Sequence, residues 1–347
     1  MKIWFPTIRA GSGSDIYVER LAVALRERGV EVCLQWLDRR HEFFPAALRG
    51  IKPPVGTDLI HANTWNGFAF ARPSIPLVVT AFHCVYRNGY PEWKTRAQAL
   101  YHDHWIGRYE RWSFARADAV IALTPSAVAD FAQRFAMPPT TVIPGWVDTE
   151  VFAPGDSGDA TADRFRVLIV GNASKRKGMD LLPRLRDALG ERFVITVIGG
   201  LRADGSDRCA GVAYKTRLSL RELVSEYRQT DVVVSLSRYE GFGYTALEAM
   251  ACGKPVVAFD VTGLRDVLAQ GTSGILVTPG DVASLASKCR LLADQPDLAR
   301  RMGAVGRAAA TGRFRKSSAV DAYLKIYRGL TAGSGHPRDA GQPQGSG

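Results

Sequence analysis

Residues 231–266 read DVVVSLSRYEGFGYTALEAMACGKPVVAFDVTGLRD, and the fold is decided here. Val232 to Leu236 is a short apolar, β-branched run, the pattern of a strand buried on both faces. A polar turn follows (Ser237, Arg238, Tyr239, Glu240, Gly241, Phe242, Gly243), and Tyr244 to Cys252 then gathers the helix formers Ala246, Leu247, Glu248, Ala249, Met250 and Ala251. Gly253 stops that helix, and Val256 to Phe259 is another buried strand. Strand, glycine-bearing turn, helix, strand is the unit from which doubly wound α/β sheets are built.

The same stretch has chemistry in it. A helix start after a glycine turn offers unpaired backbone N–H groups and the positive end of a helix dipole, which suit a diphosphate. Gly241 and Gly243 keep side chains away from that backbone. Glu240 on the turn and Glu248 on the helix are acceptors for the paired hydroxyls of a sugar and a ribose. Either glutamate alone reads as a solvated side chain; the pair on one turn and helix is the informative pattern.

Outward from this centre, strands and helices alternate in two halves. Lys2 to Phe5 and Val30 to Trp36 are strands around a helix from Ile16 to Arg28 that Gly29 caps. Leu59 to Ala62 and Leu77 to Phe82 are strands ending near His61 and His83, where open α/β sheets collect their ligands. Residues 86–117 are basic and aromatic, with Leu100, Ile106 and Phe114 expected to face inward; the arginines with Trp and Tyr suit an interfacial surface or an acceptor groove, and equally a solvated face with ordinary aromatic packing. Ala119 to Leu123 is a strand, and Thr124 opens a helix reaching Phe135. Ala153 to Arg164 (APGDSGDATADR) lacks periodicity and reads as a linker. The second half restarts with the strand Phe165 to Val170. Lys175, Arg176 and Lys177 then precede a helix from Met179 to Leu189, three cations placed for a diphosphate. Phe193 to Ile198 is a strand, Ser219 with Glu222 forms a capping box, helices fall at 281–294 and 296–310, and a last amphipathic helix spans 317–330. The domain expectation is 1–150, a linker at 151–164, 165–316, the last helix crossing back to the first domain, and a disordered low-complexity tail at 331–347.

Composition narrows the class. With 347 residues, 46% hydrophobic and 23% charged, the chain suits two soluble domains, and no apolar run approaches the length of a membrane span. The N-terminus lacks a signal-peptide segment. Cysteines 33, 84, 209, 252 and 289 are scattered without a C-x-x-C pair, which fits reduced thiols in a cytoplasm. A net charge of +11 calls for a polyanionic partner; no nucleic-acid module is present, so an anionic membrane face fits better, by surface attraction. Ile16 stands where a dinucleotide fingerprint needs glycine, and Pro91 spoils the helix that a Tyr90-x-x-x-Lys94 reductase pair would need, so nicotinamide binding is not indicated.

From Glu240 to Glu248, followed by Ala-Met-Ala-Cys-Gly-Lys-Pro-Val-Val-Ala, the chain resembles the E-x7-E signature of the retaining glycosyltransferases of family 4, and the likeness extends over roughly residues 1–330. The resemblance implies a glycosyltransferase-B fold, two Rossmann-like domains facing across a cleft, with donor mainly on the second domain and acceptor on the first. It gives Glu240 the donor sugar's hydroxyls and Glu248 the ribose, and it places Gly241, Phe242, Gly243, Tyr244 and Thr245 around the donor. It sets Gly11 and Gly13 beside the donor phosphates, His83 against the donor sugar, and Gly199 under the nucleotide base. Lys177 matches the family's lysine; Asn172 replaces its arginine, with Arg176 as substitute, and one residue is missing at Gly145. Lys177, Arg176 and the glycine-loop amides would take the place of a metal, since no Asp-x-Asp occurs and Asp204 with Asp207 is a misleading pair. Catalytic roles are assigned to Glu240, His83 and Lys177. The implied function is hexose transfer from a UDP- or GDP-sugar, without metal or other cofactor, to a saccharide or glycolipid in polysaccharide or lipopolysaccharide synthesis, in the cytoplasm or at the inner membrane's cytoplasmic face. An epimerase of the same fold, a pyridoxal-dependent phosphorylase and a non-catalytic nucleotide-sugar-binding protein are the alternatives. Sugar, base, acceptor and oligomeric state are left open.

Overall fold

The structure is a computed structural model that describes residues 1–11, 13–86, 94–155, 164–199, 209–216, 218–268 and 271–333. The first half runs β1 (Lys2–Ile8), α1 (Gly13–Arg26), β2 (Glu31–Leu37), β3 (Leu59–Asn63), α2 (Gly67–Phe70), β4 (Leu77–Ala81), α3 (Arg96–Tyr101), α4 (Gly107–Phe114), β5 (Ala119–Ala122), α5 (Pro125–Ala132) and β6 (Thr140–Val142). The second runs β7 (Phe165–Val170), α6 (Leu182–Leu189), β8 (Phe193–Ile198), β9 (Val212–Lys215), α7 (Leu220–Gln229), β10 (Val232–Ser235), α8 (Tyr244–Ala251), β11 (Val256–Phe259), α9 (Thr262–Val267), β12 (Gly274–Val277), α10 (Val282–Asp294), α11 (Pro296–Thr311) and α12 (Lys316–Gly333).

Each half forms a six-stranded parallel sheet, in the orders β2-β1-β3-β4-β5-β6 and β12-β11-β10-β7-β8-β9. This is the two-sheet α/β architecture read from the sequence. The central strands β10 and β11 carry Val232, Val233, Val256, Val257 and Phe259 without exposure, because helices cover both faces of a parallel sheet. Three short strands have no sequence expectation: β6, β9 and β12. All lie at sheet edges and are partly exposed; β6 (Thr-Thr-Val) and β9 (Val-Ala-Tyr-Lys) lack a continuous apolar run, and β12 (Gly-Ile-Leu-Val) has only three apolar residues after its glycine.

Chain order reverses between β1 and β3 in one sheet and between β7 and β10 in the other. Strand loops diverge at such switch points and leave a crevice at the C-terminal strand ends. The loops after β7 and after β10, distant in sequence, therefore meet.

α12 lies against the first sheet's elements. Its stripe of Ala319, Val320, Tyr323, Leu324 and Tyr327 is buried; Tyr323 meets the Tyr17 hydroxyl of α1, and the Tyr327 hydroxyl lies 2.6 Å from His61 Nδ1 of β3. Arg28 with Asp321 (2.7 Å) and Lys316 with Glu27 (2.6 Å) add exposed ion pairs. The helix continues through Gly333, so residues 331–333, expected in a disordered tail, are helical; the rest of that tail and linker residues 156–163 lie outside the described residues. The helix expected from Met179 begins as a 3-10 turn, and α6 starts at Leu182 beside Pro183. Leu100, expected inward, is exposed, whereas Ile106 and Phe114 are buried. Of the basic aromatic segment, Arg87, Tyr90 and Trp93 lie outside the described residues.

Candidate active site

The loop after β7 makes one 3-10 turn, Lys175–Lys177, because Ser174 caps it: its hydroxyl accepts from the Lys177 N–H at 3.3 Å. Gly178 ends the turn with φ 69°, and a Cβ there would collide with the Leu236 carbonyl at the end of β10. Glycine is thus required twice over, by conformation and by space. Gly178→Ala should cost roughly 3 kcal/mol in urea unfolding; an unchanged midpoint would mean that the two loops do not touch in solution. The loops are stitched together further: Arg238 N–H donates to Arg176 O at 2.9 Å, and its guanidinium pairs with Asp180 at 2.6 and 2.8 Å.

Glu240 sits at the centre. Its Oε1 takes the Lys177 ammonium and the Ser237 hydroxyl (2.7 Å), and Arg176 Nη1 stands 3.9 Å from Oε2. Burial pushes this carboxyl's pKa up, but Lys177, Arg176 and these hydrogen bonds outweigh it, so the group stays below the usual carboxylate range and ionised. Arg176 also donates to the Tyr239 carbonyl at 3.0 Å, which keeps its head over the turn. Gly243 opens α8 at φ 100°, and the Gly263 N–H holds the Glu240 carbonyl at 3.1 Å. One turn into α8, Glu248 accepts from Arg20 Nη2 and from the Tyr227 hydroxyl, both at 3.0 Å.

The first domain closes over this turn. The Tyr239 hydroxyl accepts from the Cys84 N–H (3.1 Å) and donates to the Cys84 carbonyl (3.2 Å), just after β4. A Cβ on Gly241 would lie 2.7 Å from the Phe82 carbonyl oxygen and 3.2 Å from His83 Cβ. What this glycine admits in the structure is therefore first-domain backbone. His83 faces the same region: its pKa falls to about 4, first through burial and then through the Arg176 charge, with Glu240 opposing, so its ring is neutral. His61, by contrast, is a structural histidine, with Nε2 2.6 Å from Thr80 Oγ1 as well as Tyr327 on Nδ1, and burial lowers it to about 3.

Gly11, expected beside the donor phosphates, has a partner close by in its own chain segment. It adopts φ 63°, and its N–H donates to the buried Asp15 carboxylate at 2.8 Å, alongside Ala10 N–H at 3.1 Å. The Asp15 carboxylate thereby braces the loop that the resemblance sets beside the donor phosphates. Gly13 opens α1. Gly199 donates to the Lys215 carbonyl at 2.9 Å, and its neighbours 200–208, with Asp204 and Asp207, lie outside the described residues. Phe242 and Tyr244 pack on each other at 5.0 Å, against Gly145 of the segment leading from β6. Among the described residues, no group of three or more His, Cys, Asp or Glu could hold a metal ion.

Asp15, Arg20, Tyr227 and Tyr239 were not singled out from the sequence. Asp15 acts within its own loop, on the Ala10 and Gly11 N–H groups, whereas Arg20, Tyr227 and Tyr239 act across the fold.

Two cations face one ionised carboxylate at the C-terminal ends of β7 and β10, with a second carboxylate one turn along α8. The model of the glycosyl transferases group 1 matches residues 157–309, and that of Glycosyltransferase Family 4 matches residues 34–151. A D-inositol 3-phosphate glycosyltransferase of Xylanimonas cellulosilytica is 32% identical over 314 residues, 79% of this chain and 72% of its own length. The chain belongs to the group 1, family 4 glycosyltransferases. Against three curated relatives with the same printed activity, 34–36% identical, it spans only 56–60% of their length. In three dimensions this family member is similar to the sucrose-phosphate synthase of Thermosynechococcus elongatus, with a TM-score of 0.81 at 24% identity over 95% of this chain and 99% of that one. It is also similar to Anabaena HepE, solved with UDP-glucose, with a TM-score of 0.74 at 19% identity over 95% and 100%. The fold is the glycosyltransferase-B arrangement.

Proposed function

We propose that the chain moves a hexosyl unit from a nucleoside-diphosphate sugar to a hydroxyl of a saccharide or lipid-linked saccharide, with retention at the anomeric carbon. The observation that carries this reading is the Lys177–Glu240 pair with Arg176 alongside. When a donor enters, Lys177 and Arg176 take the diphosphate and stabilise the charge that develops on it, while Glu240 is left for the sugar hydroxyls. Glu248 takes the ribose, and the neutral His83 ring accepts or donates one hydrogen bond to the sugar from the opposite wall. UDP is the favoured nucleotide, because a fold neighbour is solved with UDP-glucose. A phosphorylated cyclitol is a second acceptor reading, supported by the names of the relatives.

The test is transfer from UDP-glucose, UDP-N-acetylglucosamine and GDP-mannose to a panel that includes inositol phosphates and lipid-linked saccharides, with the anomer read by NMR. Release of UDP with a retained glycosidic product supports the reading. Conversion of the sugar nucleotide without acceptor would indicate an epimerase, and tight binding without turnover a binding protein.

Membrane contact belongs to the same proposal. Among the described residues, no helix is long and apolar enough to cross a membrane. Phe43, Phe44, Leu100 and Trp105 are all exposed, Phe44 at 74%, and Phe43 lies against Tyr101 at 6.1 Å, so the 39–50 loop and α3 share one face. Arg39, Arg40 and Arg108 flank these residues in the chain, and aromatic residues with arginines suit an anionic interface. Phe43→Ser with Phe44→Ser should reduce co-sedimentation with phosphatidylglycerol vesicles about tenfold; equal sedimentation of both proteins would remove the face.

A further inference from the structure

The two carboxylates of the turn and helix are held by cations from different domains. Glu240 is held by Lys177 and Arg176 of its own domain, whereas Glu248 is held by Arg20, on α1 of the other. The Arg20 guanidinium carbon lies 5.3 Å from the centre of the Tyr244 ring, and Tyr244 opens α8. Arg20 therefore stands beside the first turn of α8, where unpaired N–H groups and the helix dipole favour an anion. One terminal nitrogen, Nη2, is used on Glu248; the other, Nη1, is buried and has no hydrogen-bond partner. A buried guanidinium N–H left unpaired is costly unless something completes it. Glu248 has capacity to spare as well. A carboxylate offers about four lone-pair sites, and Arg20 and Tyr227 use one each.

We propose that Arg20 is a donor-binding residue contributed across the cleft, its Nη1 donating to a phosphate oxygen of the nucleotide whose ribose hydroxyls sit on Glu248. The inference rests on the transferase reading and deepens it, since the nucleotide then touches both domains and ties their closure to its own binding. A planar guanidinium does this where an ammonium could not, because one nitrogen keeps the carboxylate while the other takes the phosphate in a fixed fork.

The experiment compares UDP with uridine, which lacks the phosphates, on the full chain and on Arg20→Met, with affinities from calorimetry and ligand-observed NMR. Arg20→Met should weaken UDP about 10- to 100-fold, as loss of a charge-assisted contact does, and uridine by less than about threefold. Arg20→Lys should recover only part of the UDP loss. Circular dichroism and the urea midpoint verify folding, and Arg20→Lys supplies the comparison should Arg20→Met unfold. Equal losses for UDP and uridine would make Arg20 a structural residue and overturn the proposal, as would an unchanged UDP affinity. If the unaltered protein binds none of UDP, GDP or ADP, the transferase reading falls and Arg20's role with it, an outcome distinct from normal UDP binding in both proteins.

Discussion

Glu240→Gln is expected to lower kcat/KM for sugar transfer by roughly three orders of magnitude, about 4 kcal/mol of transition-state stabilisation. The amide has nearly the shape of the carboxylate but lacks its charge, so it neither pairs with Lys177 nor accepts strongly from sugar hydroxyls. The loss should appear in kcat more than in affinity for UDP alone, because UDP lacks the sugar that Glu240 is proposed to hold. Stability should fall too, by roughly 2–3 kcal/mol, since a cation left beside a missing partner is expensive at low exposure. The pH dependence has a defined sign. Glu240's folded pKa lies below its unfolded value, so its contribution is present above the unfolded pKa and is lost as pH falls through the folded one. The variant's unfolding free energy should therefore decline less steeply in acid than the wild type's. Transfer by Glu240→Gln at the wild-type rate, with UDP release matched to product, would remove Glu240 from the mechanism.

How much of this was legible in the sequence depends on distance along the chain. The inner strands were readable because burial on both faces leaves continuous β-branched runs such as Val232 to Val234 and Val256 to Phe259. Edge strands β6, β9 and β12 were not, since they are only three or four residues long and partly exposed, and β6 and β9 mix polar with apolar residues. Lys177 and Glu240 could be marked as candidates one by one, because a cation run after a strand and a glycine turn before a helix have local physical meaning. Their pairing follows only from the adjacency of β7 and β10, which topology supplies. Arg20 and Tyr227 had no signal of either kind: each is one more polar residue on an amphipathic helix until the fold brings it to Glu248. Gly11 has a partner close in sequence that still went unread. A glycine loop ahead of a helix is a fair anion site in isolation, and in the structure the Asp15 carboxylate, four residues on, accepts from its N–H.

Gly241 is where the two domains and the chemistry depend on one missing atom. Gly241→Ala is expected to reduce kcat/KM about 100-fold while leaving the urea midpoint nearly unchanged. Its φ is not among the positive glycine values, so alanine meets no backbone strain at this position. The obstacle is across the cleft, where the new Cβ would lie 2.7 Å from the Phe82 carbonyl oxygen and 3.2 Å from His83 Cβ. A carbonyl oxygen has no rotamer by which to withdraw, so either the domains part by several tenths of an ångström or the turn carrying Glu240 moves. Each displaces His83 from Glu240, and a misplacement near 1 Å at a reacting centre costs on the order of 100-fold. Neither domain's core is touched, which is why unfolding should be insensitive. UDP affinity should fall by no more than the loss expected for Arg20→Met, because Lys177, Arg176 and Glu248 lie on the second domain and only Arg20 reaches across from the first. A fall in UDP affinity larger than that of Arg20→Met would locate the damage in the turn itself, and activity within threefold of wild type would mean that catalysis does not require the first domain to press against Gly241.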